Sequence, residues 1–330
     1  MPFRLAPCPL RDTAPMRWVG LALGLVAVAI LLLSAWGGGT RHARAAAAPK
    51  PGQVVVIVGE NTTLKQLERD APYLNRTLRP HALLLTDYHG VSSGSGGDYV
   101  GMTSGRFRPC MDNDALPFHC HVTWDNLFSQ LDRKHISWQE WNESMTNPCD
   151  ILDSGADWSK NVYSAHHDAA IYYARVEGDK YQESERPSAE CRARVLPMGT
   201  TAPNDTSAFD RALASGRTAR FLFIVPNDCE DAHDPCGPVS GQVGQFDAFL
   251  RREIPKIEAN SNFGHGTIIL TEDAGNTVSD TTLLMAVGAG VRPGARGGRY
   301  DHYGLLAALE RHFGLSLLAH ARHARPVPIG

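Results

Sequence analysis

The run VVVIVG at residues 54–59, followed directly by Glu60 and Asn61, decides the fold class of this chain of 330 residues. A continuous run of β-branched residues predicts a strand buried on both faces, as at the centre of a parallel sheet. Polar side chains at the carboxyl end of such a strand lie where open α/β sheets bind their ligands. Glu60 and Asn61 could also simply cap the next turn, so later segments must decide between the two interpretations.

The composition of the chain is that of an ordinary globular protein. The net charge is −3, and 43% of the residues are hydrophobic. These values suit neither a disordered chain nor a nucleic-acid-binding protein, so we expect no nucleic acid partner. The length is sufficient for one large α/β domain, which we place at residues 50–330.

Residues 1–49 are predicted to be an export signal or an N-terminal membrane anchor with a processing region. Residues 18–36 contain no charged residue, three arginines precede them, and small residues follow at 43–48. A basic segment, an apolar segment and small residues are the parts of an export signal. The apolar segment is also just long enough to span a bilayer. We therefore expect an exported, extracytoplasmic protein that is secreted or anchored through residues 18–36, with membrane contact at least during export.

Cysteine usage agrees with export. Six cysteines follow the predicted export segment, and an even number in an oxidising compartment predicts three disulfides. Because short loops close at the lowest entropy cost, the first two of the following pairs are favoured and the third remains: Cys110–Cys120, Cys229–Cys236 and Cys149–Cys191. A zinc site is the alternative, but the chain contains no C-x-x-C pair.

Short apolar strands alternate with amphipathic helices after residue 53. The predicted strands are Val54–Val58, Ala82–Thr86, Phe221–Val225, Thr267–Thr271 and Leu283–Val287. The predicted helices are Trp124–Leu131 with Thr123 as N-cap, Phe246–Ile257, and His302–Phe313 with Asp301 as N-cap. This alternation predicts an α/β fold, a three-layer α/β/α sandwich with a mainly parallel central sheet. The polar section from residue 132 to residue 215 is predicted to be an insertion over the sheet edge.

A segment dense in glycine and serine follows the second predicted strand, at residues 88–99. Glycines at this density let the backbone approach a ligand and point several N–H groups at an anion. A hydroxyl in such a segment could be the nucleophile of a phosphoryl transfer once a metal lowers its pKa. A flexible Ser/Gly turn is the alternative.

Two adjacent carboxylates, Glu272 and Asp273, directly follow a predicted strand. They would repel one another unless a cation held them. Together with Glu60 and Asn61 they predict an oxygen-rich site for a divalent metal. An ordinary polar turn is the alternative, and it becomes less convincing when several strands end in the same way.

Acidic residues and histidines also occur in two further segments. Asp231 and His233 lie in an acidic loop just beyond the predicted strand Phe221–Val225. His302 opens the last predicted helix, where the helix N-terminus favours an anion. A solvated acidic loop and a surface histidine are the alternatives.

Taken in order, these segments resemble the bacterial phosphoesterase family of acid phosphatases and phosphocholine-type phospholipases C, within the alkaline-phosphatase-like superfamily. The segments that carry the resemblance are VIVGEN at 56–61, YVGMTSG at 99–105, SWQEWNESM at 137–145, Pro226-Asn227 with Asp231 and His233, EDAG at 272–275 and DHY at 301–303. Their shared order and spacing cover nearly the whole predicted exported region, and this is more specific than any one motif.

The resemblance implies an α/β/α sandwich that hydrolyses phosphoesters with a divalent metal cation of unknown identity. The implied metal ligands are Glu60, Asn61, Glu272 and Asp273. Counting back from residues 103–105 places the nucleophile, and hence a phosphoseryl intermediate, on Ser95, with Ser93 and Ser92 as alternatives. The implied further catalytic residues are His302 and His233, and the implied substrate-binding residues are Asp231, Asp98 and His167.

The chain departs from the family pattern at three points. It has Ser93-Gly94 where the family usually has His-Pro, Asp98 where Asn is usual, and Glu272-Asp273 where Asp-Glu or Asp-Asp is usual. We predict an acid-phosphatase-like enzyme acting on a small phosphoester, since the long C-terminal extension of many phospholipase relatives has no counterpart here. A phosphodiesterase or phospholipase C acting on a phospholipid, and a catalytically silent exported binding protein, are the alternatives.

Overall fold

An eight-stranded sheet forms the centre of the computed structural model, which describes residues 52–154, 162–182, 185–236 and 241–329. The strands are β1 (Val54–Gly59), β2 (Leu83–Leu85), β3 (Tyr88–His89), β4 (Trp138–Asn142), β5 (Val195–Pro197), β6 (Phe221–Val225), β7 (Thr267–Glu272), β8 (Leu284–Gly288), β9 (Gly294–Arg296) and β10 (Tyr300–Asp301). The α-helices are α1 (Leu64–Asp70), α2 (Ser95–Ser104), α3 (Pro117–Cys120), α4 (Leu127–Arg133), α5 (Ala174–Glu177), α6 (Ala189–Arg194), α7 (Ser207–Ala214), α8 (Gln242–Ala259) and α9 (His302–His312).

The sheet has the strand order β5-β4-β6-β1-β7-β8-β2-β9. All neighbouring strands are parallel except at β8, which runs antiparallel to both β7 and β2. The predicted mainly parallel sheet is therefore confirmed. Strands β3 and β10 form a separate parallel pair.

Helices cover both faces of the sheet, as the sequence predicted. Residues of β1 point alternately to the two sides, which is the two-residue period of a strand. Val54, Val56 and Val58 pack in one apolar cluster with residues of α2, α4 and α9. Val55 and Ile57 pack in the other cluster with residues of α1, α7 and α8. Every residue of β1 is buried, so its uniformly apolar sequence reports burial on both faces.

The five predicted strands are present with ends shifted by a residue or less, whereas five short strands were not predicted. Among the latter, β4 has the sequence WQEWN, which lacks an apolar run because its inward polar side chains have buried partners. The Glu140 carboxylate accepts the N–H groups of Ala169 and Ala170, each at 3.0 Å. The polar section at residues 132–215 lies at the sheet edge and supplies the two outermost strands there, β4 and β5.

The predicted helices are present, with one incorrect N-cap. Thr123 does not cap α4, which begins at Leu127 because Asn126 accepts the Ser129 N–H at 2.9 Å. Asp301 caps α9 as predicted, since its carboxylate accepts the Gly304 N–H at 2.9 Å. Helix α8 begins four residues earlier than expected and contains Pro255.

Three disulfides join the pairs favoured by the sequence: Cys110–Cys120, Cys149–Cys191 and Cys229–Cys236. Disulfides of this kind are typical of proteins outside the cytoplasm. The predicted export or anchor segment lies outside the described residues. No helix in the ranges that the structure describes is long and apolar enough to cross a membrane.

Candidate active site

The site residues that the sequence singled out meet where β1, β6 and β7 end. Glu60 follows β1, Glu272 is the last residue of β7, and Asp231 lies in the loop after β6. Backbone hydrogen bonds tie these ends together, from Glu60 N to the Asp231 carbonyl at 2.7 Å and from Asp273 N to the Gly59 carbonyl at 2.9 Å. Adjacent parallel strands that end at the same level thus bring side chains from distant parts of the chain to one edge.

Ser95 is the serine that faces this edge. It is the first residue of α2, and its Oγ donates a hydrogen bond to Oε2 of Glu60 at 2.9 Å. The two alternative serines face elsewhere: Ser92 Oγ donates to Asp112 at 2.6 Å, and Ser93 is exposed. The N-terminus of a ten-residue helix adds a positive potential beside the Ser95 hydroxyl.

Asp98 holds the loop that leads to Ser95. Its Oδ1 accepts the N–H groups of Val91 and Ser92, at 2.5 Å and 3.0 Å. Burial raises the pKa of Asp98, and the nearby charge of Asp273 raises it further. The sequence predicted a substrate-binding role for Asp98, and the contacts of this side chain fold the serine loop back onto α2.

Asn61 links two of the predicted metal ligands. Its Nδ2 donates to Oε2 of Glu60 at 3.1 Å, and its backbone N–H donates to Oδ1 of Asp273 at 2.8 Å. Asn61 has a φ of 47°, in the left-handed region that asparagine tolerates better than most residues. Glu60, Asn61 and Asp273 therefore form one connected group.

The carboxylates of Glu60, Asp273 and Glu272, which we call the carboxylate cluster, are buried and short of hydrogen-bond donors. Glu60 and Glu272 are 0% exposed and Asp273 is 1% exposed, and neither oxygen of Glu272 has a hydrogen-bond partner in the described residues. Burial raises the pKa of Glu60 and of Glu272, and the charges of Asp273 and Asp231 raise both further. Such a set of oxygens fits a divalent cation, which would supply the missing positive charge.

A second group of possible ligands lies beside the first. His167, Asp228 and Asp231 each offer one possible ligand atom, and these atoms lie within 4.8 Å of one another. Nε2 of His167 is also 3.5 Å from Oε1 of Glu60. In the described residues, Oδ1 of Asp228 and Oδ2 of Asp231 have no hydrogen-bond partner although both are buried. The chemistry of this group likewise fits a cation.

Burial perturbs the titration of the second group. It raises the pKa of Asp228 to about 7, and it raises the pKa of Asp231, which the charge of Asp228 raises further. Burial also lowers the pKa of His167, and the neighbouring His166 and His233 lower it further. The Tyr99 ring of α2 stacks on the His167 ring with centroids 5.4 Å apart, which fixes the orientation of the imidazole.

The two predicted catalytic histidines occupy different environments. His302 is 0% exposed, and both ring nitrogens contact protein groups. Nδ1 lies 2.7 Å from the Tyr88 hydroxyl, and Nε2 contacts the backbone carbonyl of Asp273. Because a carbonyl can only accept, Nε2 carries the hydrogen and Nδ1 accepts from Tyr88. The His233 side chain is 41% exposed, and its Nδ1 contacts Asp234 at 3.0 Å.

Sequence reasoning did not single out Asp228 or Tyr88. Asp228 belongs to the acidic segment at residues 226–234 that the sequence did mark, but the resemblance pointed to Asp231 and His233 there. Only the three-dimensional position of Asp228 beside His167 distinguishes it from its acidic neighbours. Tyr88 carries no sequence signal of this kind, because its relation to His302 depends on the pairing of β3 with β10.

Comparison with known proteins identifies the family to which the chain belongs. Residues 34–282 match the model of the phosphoesterase family. The chain is 23% identical over 326 residues to a phosphatidylinositol-3-phosphatase from Mycobacterium tuberculosis, and the match covers 95% of each chain. It is 26% identical over 247 residues to a phosphate-repressible acid phosphatase from Penicillium chrysogenum, covering 73% of this chain and 54% of the fungal protein.

Among solved structures, the fold is similar to a protein of the alkaline phosphatase superfamily from Vibrio parahaemolyticus. The TM-score is 0.53 at 10% sequence identity, and the match covers 83% of this chain and 70% of that one. At this identity the similarity concerns the fold alone. It confirms the predicted alkaline-phosphatase-like sandwich.

Proposed function

Because the chain belongs to the phosphoesterase family and is a phosphoric ester hydrolase, we propose that it cleaves phosphate monoesters with Ser95 as the nucleophile. The observation that carries this proposal is the hydrogen bond from Ser95 Oγ to Glu60 at 2.9 Å, at the start of α2 and inside the carboxylate cluster. A serine at a helix N-terminus beside a possible cation site has the surroundings that phosphoryl transfer requires.

The proposed metal ligands are Glu60, Asn61, Glu272 and Asp273. A divalent cation held there would lower the pKa of the Ser95 hydroxyl and offset the charge of the phosphoryl group. The unpartnered oxygens of Glu272 support this assignment, since buried carboxylates without donors are otherwise costly.

We propose that the chain performs the reaction in two displacements. Oγ of Ser95 bonds to phosphorus while the bond from phosphorus to the ester oxygen breaks, and Glu60 accepts the serine proton. A water oxygen then bonds to phosphorus while the bond from phosphorus to Oγ of Ser95 breaks, Glu60 returns its proton to Oγ, and His233 takes a proton from the water, which releases phosphate and restores the serine. His233 stands at the exposed side of the site, and we assign to it the donation of a proton to the leaving alcohol.

The predicted substrate-binding residues Asp231 and His167 belong to the second ligand group, with Asp228. Two buried carboxylates would repel a phosphate dianion directly. We therefore propose that phosphate binding at this group depends on a second cation, so that two ions bind per chain.

We assign His302 a positioning role instead of the catalytic one that the sequence suggested. Both of its nitrogens are already occupied, by Tyr88 and by the Asp273 carbonyl, so it holds the backbone of a proposed ligand in place. Burial lowers the pKa of His302, which keeps the ring neutral in this role.

The names of the relatives favour monoesters over diesters as substrates, because both are phosphatases. One of them acts by name on a phosphoinositide, so a lipid monoester belongs among the test substrates. The same scaffold could also accept a phosphodiester or a phospholipid, as the sequence left open. The silent binding protein is no longer favoured, because the family and its relatives are enzymes. We also propose that the protein acts after export, in the oxidising surroundings that its disulfides suit.

The decisive experiment is an assay of the full chain, produced with its disulfides, on nitrophenyl phosphate, bis-nitrophenyl phosphate and vesicles containing phosphatidylinositol 3-phosphate. We expect the monoester to be hydrolysed and Ser95→Ala to lower kcat by at least about 10³-fold, with normal folding. Ser93→Ala is the matched control and should retain the activity of the parent. Loss of activity in Ser93→Ala but not in Ser95→Ala would contradict the assignment.

Metal analysis of the same preparation tests the ligand sets. We expect two divalent ions per chain in the parent. Each of the variants Asp228→Asn and Glu272→Gln should bind one ion per chain. A single ion that is lost in Glu272→Gln and kept in Asp228→Asn would reject the second cation while leaving Ser95 unaffected.

A further inference from the structure

A cavity lined by four arginines lies outside the carboxylate cluster. Its volume is about 570 Å³, and the four arginines on its wall are Arg292, Arg296, Arg311 and Arg325. They come from β9 and the residues before it, from α9, and from the C-terminal segment of the described chain. Among the residues that the structure describes, no aspartate or glutamate lines the cavity, although the whole chain has a net charge of −3.

The four guanidinium groups are not used by the fold as ion pairs. All four residues are exposed, and within the described ranges no carboxylate pairs with any of them. This contrasts with Arg252, which forms a salt bridge with Glu230 at 2.5 Å. Four like charges around one cavity repel each other, so a bound anion would lower the electrostatic energy there.

One arginine has a fixed position. The Arg325 guanidinium lies over the Tyr300 ring at 4.1 Å from its centroid, and Gly298 leaves room for it, because a Cβ there would clash with Nη1. Tyr300 is buried, as are Val327 and Ile329 on the same wall. The cavity therefore has an apolar floor below a basic rim.

We propose that this cavity binds a phosphate-bearing anion at a site separate from the catalytic one. Guanidinium groups present paired N–H donors that match phosphate oxygens, and several of them around one cavity suit a dianion. The volume is within the range of small-molecule sites, and the apolar floor would contact the organic part of a phosphoester. The anion is either free in solution or the headgroup of an acidic lipid.

The test removes charge from two of the elements that line the cavity, β9 and α9. Arg296→Gln and Arg311→Gln are combined in the full Ser95→Ala chain, because neither side chain has a hydrogen bond within the described residues. Arg211→Gln is the matched control, since Arg211 is equally exposed but lies on α7, near the opposite edge of the sheet. Equal unfolding midpoints of the variants establish that all of them are folded.

Two binding measurements distinguish the sources of the anion. In the first, inorganic phosphate is titrated calorimetrically, and we expect a binding component that weakens at least about tenfold in the double variant and persists in Arg211→Gln. In the second, the proteins are sedimented with phosphatidylcholine vesicles with and without phosphatidic acid. If the double variant loses binding only to the vesicles that contain phosphatidic acid, the anion is a lipid headgroup. If the double variant equals Arg211→Gln in both, the proposal is wrong.

Because the cavity contains none of the proposed catalytic residues, this test is independent of the proposed function. The double variant with Ser95 intact should hydrolyse nitrophenyl phosphate at the rate of the parent. Loss of anion binding with normal turnover would thus support the arginine-lined site, even if the natural substrate of the catalytic site proves not to be a phosphate monoester.

Discussion

Gly59 leaves room for the carboxylate of Glu272, because glycine has no side chain at this position of β1. A Cβ at this position would lie 2.7 Å from both carboxylate oxygens of Glu272 and 2.8 Å from the carbonyl oxygen of Asp231. Such distances are too short for any side chain. The position of the Glu272 carboxylate beside the end of β1 therefore depends on a glycine there.

Gly59→Ala is expected to destabilise the fold by about 1–3 kcal/mol through overpacking and to lower kcat at least about tenfold by displacing Glu272. Urea unfolding and nitrophenyl phosphate turnover measure the two effects. Gly297→Ala is the control, because the nearest atom to a Cβ there is 3.9 Å away. If Gly59→Ala and Gly297→Ala have the same stability and the same turnover, the residues around Gly59 accommodate an added Cβ without cost.

Tyr88→Phe tests the positioning role of His302. Removal of the hydroxyl leaves Nδ1 of His302 without its donor, so the ring can turn away from the Asp273 carbonyl. We expect kcat to fall about tenfold with little change in KM, and metal affinity to fall as well. Tyr181→Phe is the control, since it removes a buried hydroxyl whose one hydrogen bond within the described residues is to Ile171, at 3.0 Å. If both variants lose the same activity, the effect is merely structural.

At the scale of elements, apolar periodicity identified the strands and helices that bury apolar side chains, and it missed those that do not. β1, β6 and β7 were predicted because every one of their residues is buried. β4 was not predicted, because its buried Glu140 depends on backbone donors at residues 169 and 170, which no local sequence pattern shows. Edge strands of two or three residues, such as β9, are too short for a period to appear.

Helix α9 contains a buried carboxyl group that makes stability depend on pH. Glu310 is 0% exposed and accepts the Leu318 N–H at 2.9 Å, and burial raises its pKa to about 8. The folded chain thus holds a proton that the unfolded chain releases above the ordinary pKa of glutamate. The stability contributed by this proton is present below pH 4.5 and is lost as the pH rises towards 8.

Glu310→Gln should remove this dependence, because the amide keeps an acceptor for Leu318 and cannot ionise. We expect the variant to be more stable than the parent by about 1–2 kcal/mol at pH 8.5 and to differ little near pH 4.5. Urea unfolding at the two pH values measures the difference. Glu68→Gln, at an exposed position on α1, should show no such change. A variant less stable than the parent at pH 8.5 would contradict the assignment.

For the whole molecule, the sequence predicted where the candidate site lies, but not which of its residues contact one another. The polar residues after apolar strands indicated one edge of the sheet, and Glu60, Glu272 and Asp273 all lie at the ends of the paired strands β1 and β7. The grouping of Asp228 with His167 depends on the path of two loops over that edge, so spacing alone could not show it. The roles of individual histidines likewise depended on contacts such as Tyr88 with His302.

The buried carboxylates of the site should make the stability of the whole molecule depend on divalent cations. A cation that binds only the folded chain at 100 times its Kd stabilises it by about 2.7 kcal/mol. We expect the unfolding midpoint to fall on treatment with a chelator and to recover with added metal. Glu272→Gln should show a smaller shift than the parent. An unfolding midpoint that changes neither with chelator nor with added metal would argue against any cation at the edge where β1, β6 and β7 end.

The place of β1 between β6 and β7 has a consequence for the timing of activity during synthesis. The backbone of Asn61 donates to Asp273, 212 residues later in the chain, so the first strand of the described residues acquires its last neighbour in the sheet near the end of translation. Pairings across such a separation form slowly. A nascent chain therefore carries Glu60 and Ser95 for most of its synthesis without Glu272 and Asp273, so the proposed set of metal ligands is completed only late in translation.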